Sequence, residues 1–419
     1  MNDFLLKTFF EKHRWEKAIQ TGVEKDIDKS LLRQLASPEY RINLYHAIRD
    51  NKYIIAPPHE AQIPKDDGTF RTVYVNEGID RVILSIINDM FFELCPELVH
   101  PACKSYQKGI GCGKIVQKVS QTIQHENTPV IGVKVDLSKY FDSVPIRYID
   151  NVFQYIETKF GPSKILDIIK TYYHTNTVID INKNIIEKYS SLRQGCAVAA
   201  FLADAVLFDI DQTISNLNVY YVRYSDDILI VGHEYETGYK ILKTMLAEKE
   251  LILNPKKVET LYKDKWFKFL GFEIKDSQIS LSNHRVKSFQ KEILKRTIYN
   301  KSNDINVIIG NVNAYLYKGN SEYSWATGIL PIINVEKDIN KLNAFIMDAI
   351  RASITRKTRI GGLGCTTNNP DFTIMRGTGK NIKSNKEKIP LLPNYNTLTC
   401  MRNAILTSRE AYNTLVMQM

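Results

Sequence analysis

Three aspartates in this chain stand where apolar strands should end. Val130-Ile131-Gly132-Val133-Lys134-Val135 is a β-branched run that stops on Asp136. Far downstream, Tyr221-Val222-Arg223-Tyr224-Ser225-Asp226-Asp227-Ile228-Leu229-Ile230-Val231 sets two more acids between two apolar runs. An Asp pair in such a place is ordinarily turn chemistry, because Asp tolerates turn backbone well. A third acid at the end of another strand changes the reading. Strand-borne side chains are held more tightly than loop-borne ones. Three gathered carboxylates repel one another unless a cation keeps them ionised together. Hard oxygen donors favour magnesium, which also keeps waters and substrate phosphates in its shell. Two such ions roughly 3.5–4 Å apart can activate an attacking 3′-hydroxyl and stabilise a departing pyrophosphate. That is phosphoryl transfer by positioning and charge, with no protein nucleophile.

A competing phosphate site is excluded. Gly109-Ile110-Gly111-Cys112-Gly113-Lys114 suggests a phosphate-binding loop, but the required glycine and hydroxyl positions hold Lys108 and Ile115.

The elements that must carry the acids can be read from periodicity. Residues from the start to about position 55 read as helical. Ile63 to Val75 reads as a hairpin turning at Asp67-Gly68, with Lys65 and Arg71 close to the turn. A helix is predicted from about Gly78 to Leu94, with Val82, Ile83, Ile86, Ile87 and Met90 at core-facing spacing. A loop with Gly109, Gly111 and Gly113 then leads into another helix. Between the strand ending at Asp136 and the Asp pair, a helix is expected from Ala197 to about Ser215. Strands are expected over Val219 to Tyr224 and Ile228 to Val231, near Thr260, and over Trp266 to Ile274. After Ser282 the pattern turns helical. Ile339, Leu342, Ile346, Ala349, Ile350 and Ser353 form one stripe, the core face of a helix. Gly361 to Pro393, rich in Gly, Asn, Thr and Lys, reads as loop.

Composition bounds the partners. At 419 residues the chain has room for two or three domains. Hydrophobic residues make up 44% and charged residues 24%, an ordinary globular mix. No apolar run approaches the 18 or so residues of a membrane span, and no secretory leader is visible at the start. Six scattered cysteines without a CxxC pair argue against a disulfide framework or structural zinc and fit a reduced cytoplasm. The net charge is +10 and unevenly placed: Arg351 to Lys388 carries nine Lys/Arg against two acids. A polyanionic partner is the natural reading of that cluster.

Together these residues resemble the reverse transcriptases. Tyr224-Ser225-Asp226-Asp227 resembles their YxDD signature, and Asp136-Leu137-Ser138-Lys139-Tyr140-Phe141-Asp142 their first acidic motif. Arg193-Gln194-Gly195 resembles the Pro-Gln-Gly turn, Phe269-Leu270-Gly271-Phe272 the later Leu-Gly element, and Asn254-Pro255-Lys256-Lys257 the Lys-bearing motif. Ile63-Pro64-Lys65 with Asp67-Gly68 and Arg71 resembles the fingers motif. The six fall in the family's order. The resemblance implies an α/β right-hand polymerase: a helical extension and fingers over residues 1–125, a catalytic palm of antiparallel sheet backed by helices over 126–280, and a helical thumb with a basic region over 281–419.

It also implies roles. Asp136, Asp226, Asp227 and the carbonyl of Leu137 would hold two Mg2+ (or Mn2+) ions. Phe141 would exclude a 2′-hydroxyl, and Gln194 would support the incoming dNTP. Lys65 and Arg71 would meet its triphosphate, and Lys257 would sit near the pyrophosphate. The sequence departs from the pattern where Arg193 replaces Pro, where Ala199-Ala200 replaces Ser-Pro, and where Asp204 replaces Asn.

Within the family, the length and basic end are similar to bacterial antiphage defence-associated enzymes of the retron and abortive-infection-like kind. These copy a structured noncoding RNA into cDNA. Arg351, Arg356, Lys357 and Arg359 are the expected RNA-binding residues, with Lys104, Lys108 and Lys114 the next candidates. The rival readings are a template-independent terminal transferase on the same palm, a non-catalytic RNA-binding scaffold, and an RNA-synthesising polymerase. Phe141 disfavours the last of these.

Overall fold

The computed structural model of the chain describes residues 3–24, 27–65, 68–107, 109–189, 191–302, 304–317 and 324–355, with 398 and 401. The chain divides into two compact units, residues 1–107 with 131–260, and residues 108–130 with 261–419. Among the described residues no helix is long and apolar enough to cross a membrane.

The expected helical start is four helices: α1 (Phe4–Phe9), α2 (Lys12–Glu24), α3 (Lys29–Ala36) and α4 (Pro38–Arg49). Asp3 and Asp28 cap α1 and α3 by accepting from the N–H groups of Leu6 and Leu31. Pro38 opens α4, where its missing N–H costs nothing. The hairpin is β1 (His59–Pro64) and β2 (Phe70–Val75), with Ile63 opposite Arg71. Helix α5 (Gly78–Leu94) has the expected bounds and buries all five residues of its predicted face.

Next come α6 (Cys112–Gln124) and β3 (Val130–Asp136). Then follow α7 (Tyr140–Ser143), α8 (Ile146–Phe160), α9 (Lys164–His174), β4 (Thr177–Ile179) and β5 (Ile185–Glu187), which the sequence reading left unassigned. Strands β4 and β5 join the hairpin in a four-stranded sheet of order β2-β1-β4-β5.

The helix expected from Ala197 to Ser215 is two, α10 (Ala199–Ala205) and α11 (Phe208–Ser215). The break has a cause. The carbonyls of Ala203 and Asp204 should accept from the N–H groups four residues on. Instead the Ala203 carbonyl accepts from the Tyr140 hydroxyl and Arg223 Nη1, and the Asp204 carbonyl from Arg223 Nη2.

Strands β6 (Tyr220–Tyr224) and β7 (Asp227–Val231) form the hairpin that carries the acid pair, followed by α12 (Tyr235–Glu248) and β8 (Glu259–Tyr262). The second sheet runs β6-β7-β3-β8. Gly132 lets β3 approach β7: a Cβ there would lie 2.2 Å from the Ile230 carbonyl oxygen. Ile228, Leu229, Ile230 and Val231 are wholly buried, so the strand bearing Asp227 is fixed on both faces.

In the second unit the strand expected over Trp266–Ile274 is a hairpin, β9 (Phe267–Phe269) and β10 (Phe272–Lys275). It turns at Leu270 and Gly271, both at positive φ (48° and 78°), the backbone a tight two-residue hairpin demands. A further strand, β11 (Gln278–Leu281), completes the order β11-β10-β9, and the Ser120 hydroxyl of α6 donates to the Asp276 carbonyl between β10 and β11. Helices α13 (Asn283–Arg296), α14 (Ile305–Leu316) and α15 (Glu336–Thr355) follow. The stripe from Ile339 to Ser353 on α15 is buried at all six positions. The loop expected from Gly361 to Pro393 lies outside the described residues.

Candidate active site

Strand register brings the three acids together. Asp136, the last residue of β3, pairs directly with Asp227, the first of β7. One residue further, the Leu137 N–H donates to the Asp226 carbonyl at 3.2 Å. Both hairpin acids feel the crowding. Burial, then repulsion from Asp136, raises the Asp226 carboxyl above the usual range. Burial, then repulsion from Asp226 and Asp136, pushes Asp227 up to about 6. Carboxylates that hold protons this firmly are a donor set short of positive charge.

One positive charge is already present. The backbone after α12 runs alongside the end of β3, where the Asn254 N–H donates to the Asp136 carbonyl and the Ser138 N–H to that of Ile252. The Asn254 side chain caps the short turn Pro255–Lys257. This delivers the Lys257 ammonium to Asp136 Oδ2 at 2.6 Å. Burial alone would lower the Lys257 pKa, but the bond to Asp136 and the neighbouring acids raise it. Among the described residues no three acidic, His or Cys side chains converge closely enough to hold a metal ion as they stand. The oxygen donors at neighbouring strand ends, with the raised affinity of Asp226 and Asp227 for protons, fit a hard divalent cation. An ion held through Asp136 Oδ2 would take the place of the Lys257 ammonium there.

The other expected residues are placed by their own elements. Phe141 is half-buried, packed edge-on against Tyr140 with ring centroids 5.6 Å apart. Its carbonyl accepts from the Leu192 N–H at 2.9 Å, tying it to the segment that carries Gln194. Gln194 is half-buried, and its carbonyl accepts from the Tyr74 N–H of β2 at 2.7 Å. Gly195 lies at φ +106°, and a Cβ there would sit 2.8 Å from the Tyr74 carbonyl oxygen. Lys65 and Arg71 are exposed on the hairpin, and the Arg71 charge reaches Asp226, whose pKa it lowers.

Of the four expected RNA-binding residues one is described. Arg351 lies on α15 of the second unit and pairs with Asp348 at 3.6 Å. Arg356, Lys357 and Arg359 lie outside the described residues.

A profile described as "Reverse transcriptase (RNA-dependent DNA polymerase)" matches residues 63–274, a span holding Asp136, Asp226 and Asp227. The chain belongs to the reverse transcriptase family. Its fold is accordingly a mixed α/β right-hand polymerase fold with antiparallel sheets. Two curated relatives resemble this reverse-transcriptase chain. One is the "Putative COX1/OXI3 intron 2 protein" of Saccharomyces cerevisiae, 22% identical over 178 residues (42% of this chain, 20% of that one). The other is the "Retron Mx162 reverse transcriptase" of Myxococcus xanthus, 24% identical over 235 residues (54% and 46%). The chain thus spans less than half the length of the curated relatives it matches. Solved telomerases are similar at a distance. The Candida albicans telomerase with a telomeric RNA fragment has a TM-score of 0.42 at 11% identity, covering 74% of this chain and 63% of that one. An apo telomerase from Candida tropicalis has 0.44 at 12%, covering 72% and 57%.

Two features of this reverse-transcriptase site escaped the sequence reading. The first is the role of Arg193. It is 1% exposed, with φ +58°, and its guanidinium lies 4.2 Å from the Tyr172 ring centroid, with Nη2 donating to the Thr175 carbonyl. Nε and Nη1 have no hydrogen-bond partner among the described residues. It anchors the Gln194 turn from behind, through cation–π contact rather than an ion pair. The second is a buried polar group beneath the acid hairpin. Arg223, fully buried, donates through Nε and Nη2 to Asp211, which also accepts from the Tyr221 hydroxyl. Asp204 lies 3.7 Å from Arg223, and burial pushes its carboxyl up to about 6 despite the guanidinium. The available signal was an Arg within an apolar strand, with two acids seven residues apart on a neighbouring helical stretch.

Proposed function

We propose that this protein is an RNA-directed DNA polymerase that copies a partner structured noncoding RNA into cDNA, in the cytoplasm and in the service of antiphage defence. The observation that carries the polymerase reading is the register of Asp136 against Asp227, with Asp226 beside them. In this reading residues 1–125 supply the helical extension and fingers, 126–280 the palm, and 281–419 the thumb and basic region.

Asp136, Asp226, Asp227 and the Leu137 carbonyl hold the metal. Two magnesium ions, when bound, supply the charge that activates a 3′-hydroxyl and offsets the leaving pyrophosphate. The residues of the chain orient the reactants. Lys257, already bonded to Asp136, leaves that carboxylate for the pyrophosphate oxygens. Lys65 and Arg71, exposed on their hairpin, meet the triphosphate from the other side. Gln194, fixed through its carbonyl to β2, supports the base and sugar, and Phe141 crowds a 2′-hydroxyl. RNA is held by Arg351, Arg356, Lys357 and Arg359, cations whose phosphate contacts give strongly salt-dependent binding. The retron enzyme among the relatives and the basic stretch after Arg351 support the noncoding-RNA reading.

Replacing both Asp226 and Asp227 with Ala tests the site. Expected is loss of Mg2+-dependent nucleotide incorporation with the thermal transition kept or raised, because removing mutually repelling acids relieves the metal-free fold. Substantial residual incorporation with normal Mg2+ dependence would remove the metal-site assignment.

A further inference from the structure

The acid hairpin turns on a residue that is not glycine, yet sits where glycine is favoured. Ser225 has φ +59°, a left-handed backbone that L-residues adopt only when their surroundings impose it. The surroundings here come from a segment 120 residues earlier in the chain. Ala102 and Lys104 lay their backbone along β6: the Arg223 N–H donates to the Ala102 carbonyl at 3.0 Å and the Lys104 N–H to the Arg223 carbonyl at 2.8 Å. That strip ends at Ser105, which has no exposed surface. The Ser105 hydroxyl accepts from the Ser225 N–H at 2.9 Å. Its single proton goes to Asp204 Oδ1 at 2.8 Å, so its lone pairs serve the Ser225 N–H and the Cys103 thiol, whose Sγ lies 3.2 Å away. From the opposite side Arg223 Nη1 donates to the Ser225 carbonyl at 3.3 Å. Both backbone polar groups of the residue preceding Asp226 are therefore held by side chains, one from the distant strip and one from β6 itself.

We propose that Ser105, oriented by Asp204, is a positioning residue for the catalytic turn: it holds Ser225 left-handed and so aims Asp226 at the metal position. This rests on the polymerase reading above and adds a residue to it. Ser105 touches neither nucleotide nor metal. Its loss therefore acts on how well the acids gather a cation and on the chemical step, while the groups that bind the triphosphate stay in place.

The test compares Ser105→Ala, Ser105→Thr and, as a control for deleting a buried hydroxyl elsewhere, Ser120→Ala. Amide hydrogen exchange is read over Tyr224 to Asp227, alongside primer extension across a Mg2+ titration. Ser105→Ala is expected to lose protection at the Ser225 amide by about tenfold or more, since its partner is gone. Its kcat should fall about ten- to a hundredfold, as small misplacements of reacting groups do, with a raised half-saturating Mg2+ and dNTP KM within about twofold. Ser105→Thr, which keeps the hydroxyl, should recover most of both losses, and Ser120→Ala should change neither. Unchanged exchange at Ser225 in Ser105→Ala overturns the inference whether or not the protein polymerises. So does a loss of kcat that comes with an equal rise in dNTP KM and no rescue by Thr. An inactive wild type with the exchange effect intact would instead count against the polymerase reading alone.

Discussion

Asp204 is the residue at which sequence and environment disagree most. A carboxyl with no exposed surface, one oxygen on Ser105 and the other without a hydrogen-bond partner among the described residues, is pushed up to about 6 by burial, against the pull of Arg223. The linkage follows from that direction. The folded protein binds this proton more tightly than the unfolded chain does. The contribution is therefore complete below the ordinary Asp pKa of about 3.9 and is lost as pH rises through about 6. Asp204→Asn removes a group that must ionise in the dark. Its melting temperature relative to wild type should climb between about pH 4 and pH 6 and level off above. Calorimetry at three pH values checks it, and a difference that shrinks over that window would mean the Arg223 pairing outweighs burial. The departure from Asn at this position was visible in the sequence. Its partners were not, because Ser105 and Arg223 lie 99 residues before and 19 after it, and no periodicity connects them. The acids themselves were legible because Asp136 ends a β-branched run and Asp226 and Asp227 sit between two apolar ones.

Apolar spacing located some elements with a single buried face, missed others such as α8 and α9, and misjudged one bent by distant partners. Helix α5 follows its apolar spacing from Gly78 to Leu94. The stretch from Ala197 to Ser215 has helical spacing too, yet breaks after Ala205 because Arg223 and Tyr140 take the carbonyls that would have continued it. Strands β4 and β5, three residues each, are too short to show alternation. The turn at Gln194-Gly195 is an element of this kind, shaped from outside by Tyr74 in front and by Arg193 on Tyr172 behind. Gly195→Ala meets both a positive φ and a backbone oxygen at 2.8 Å. The cost should be about 1–3 kcal/mol of stability, seen as a lowered melting temperature. Because the turn carries Gln194, dNTP KM should rise several-fold while the Mg2+ requirement stays as in wild type. A variant with unaltered KM would detach this turn from nucleotide binding.

At the scale of the whole molecule, the net charge of +10 and the family match over residues 63–274 speak to different questions. The match covers the chemistry. The nine cations between Arg351 and Lys388, beyond its end, bear on which polymer is held. Backbone contacts from such cations give affinity and salt dependence but little sequence information. The acid site alone is equally compatible with adding nucleotides without a template, so the central claim is that synthesis follows an RNA sequence. The most direct measurement supplies the purified protein with a defined RNA template, an annealed DNA primer, all four dNTPs and Mg2+, and sequences the extended DNA. The expected result is DNA complementary to the template, lost when RNA or Mg2+ is withheld and lost in the Asp226→Ala, Asp227→Ala protein. Extension of the primer by sequence unrelated to the RNA, at the same rate with and without template, would contradict it.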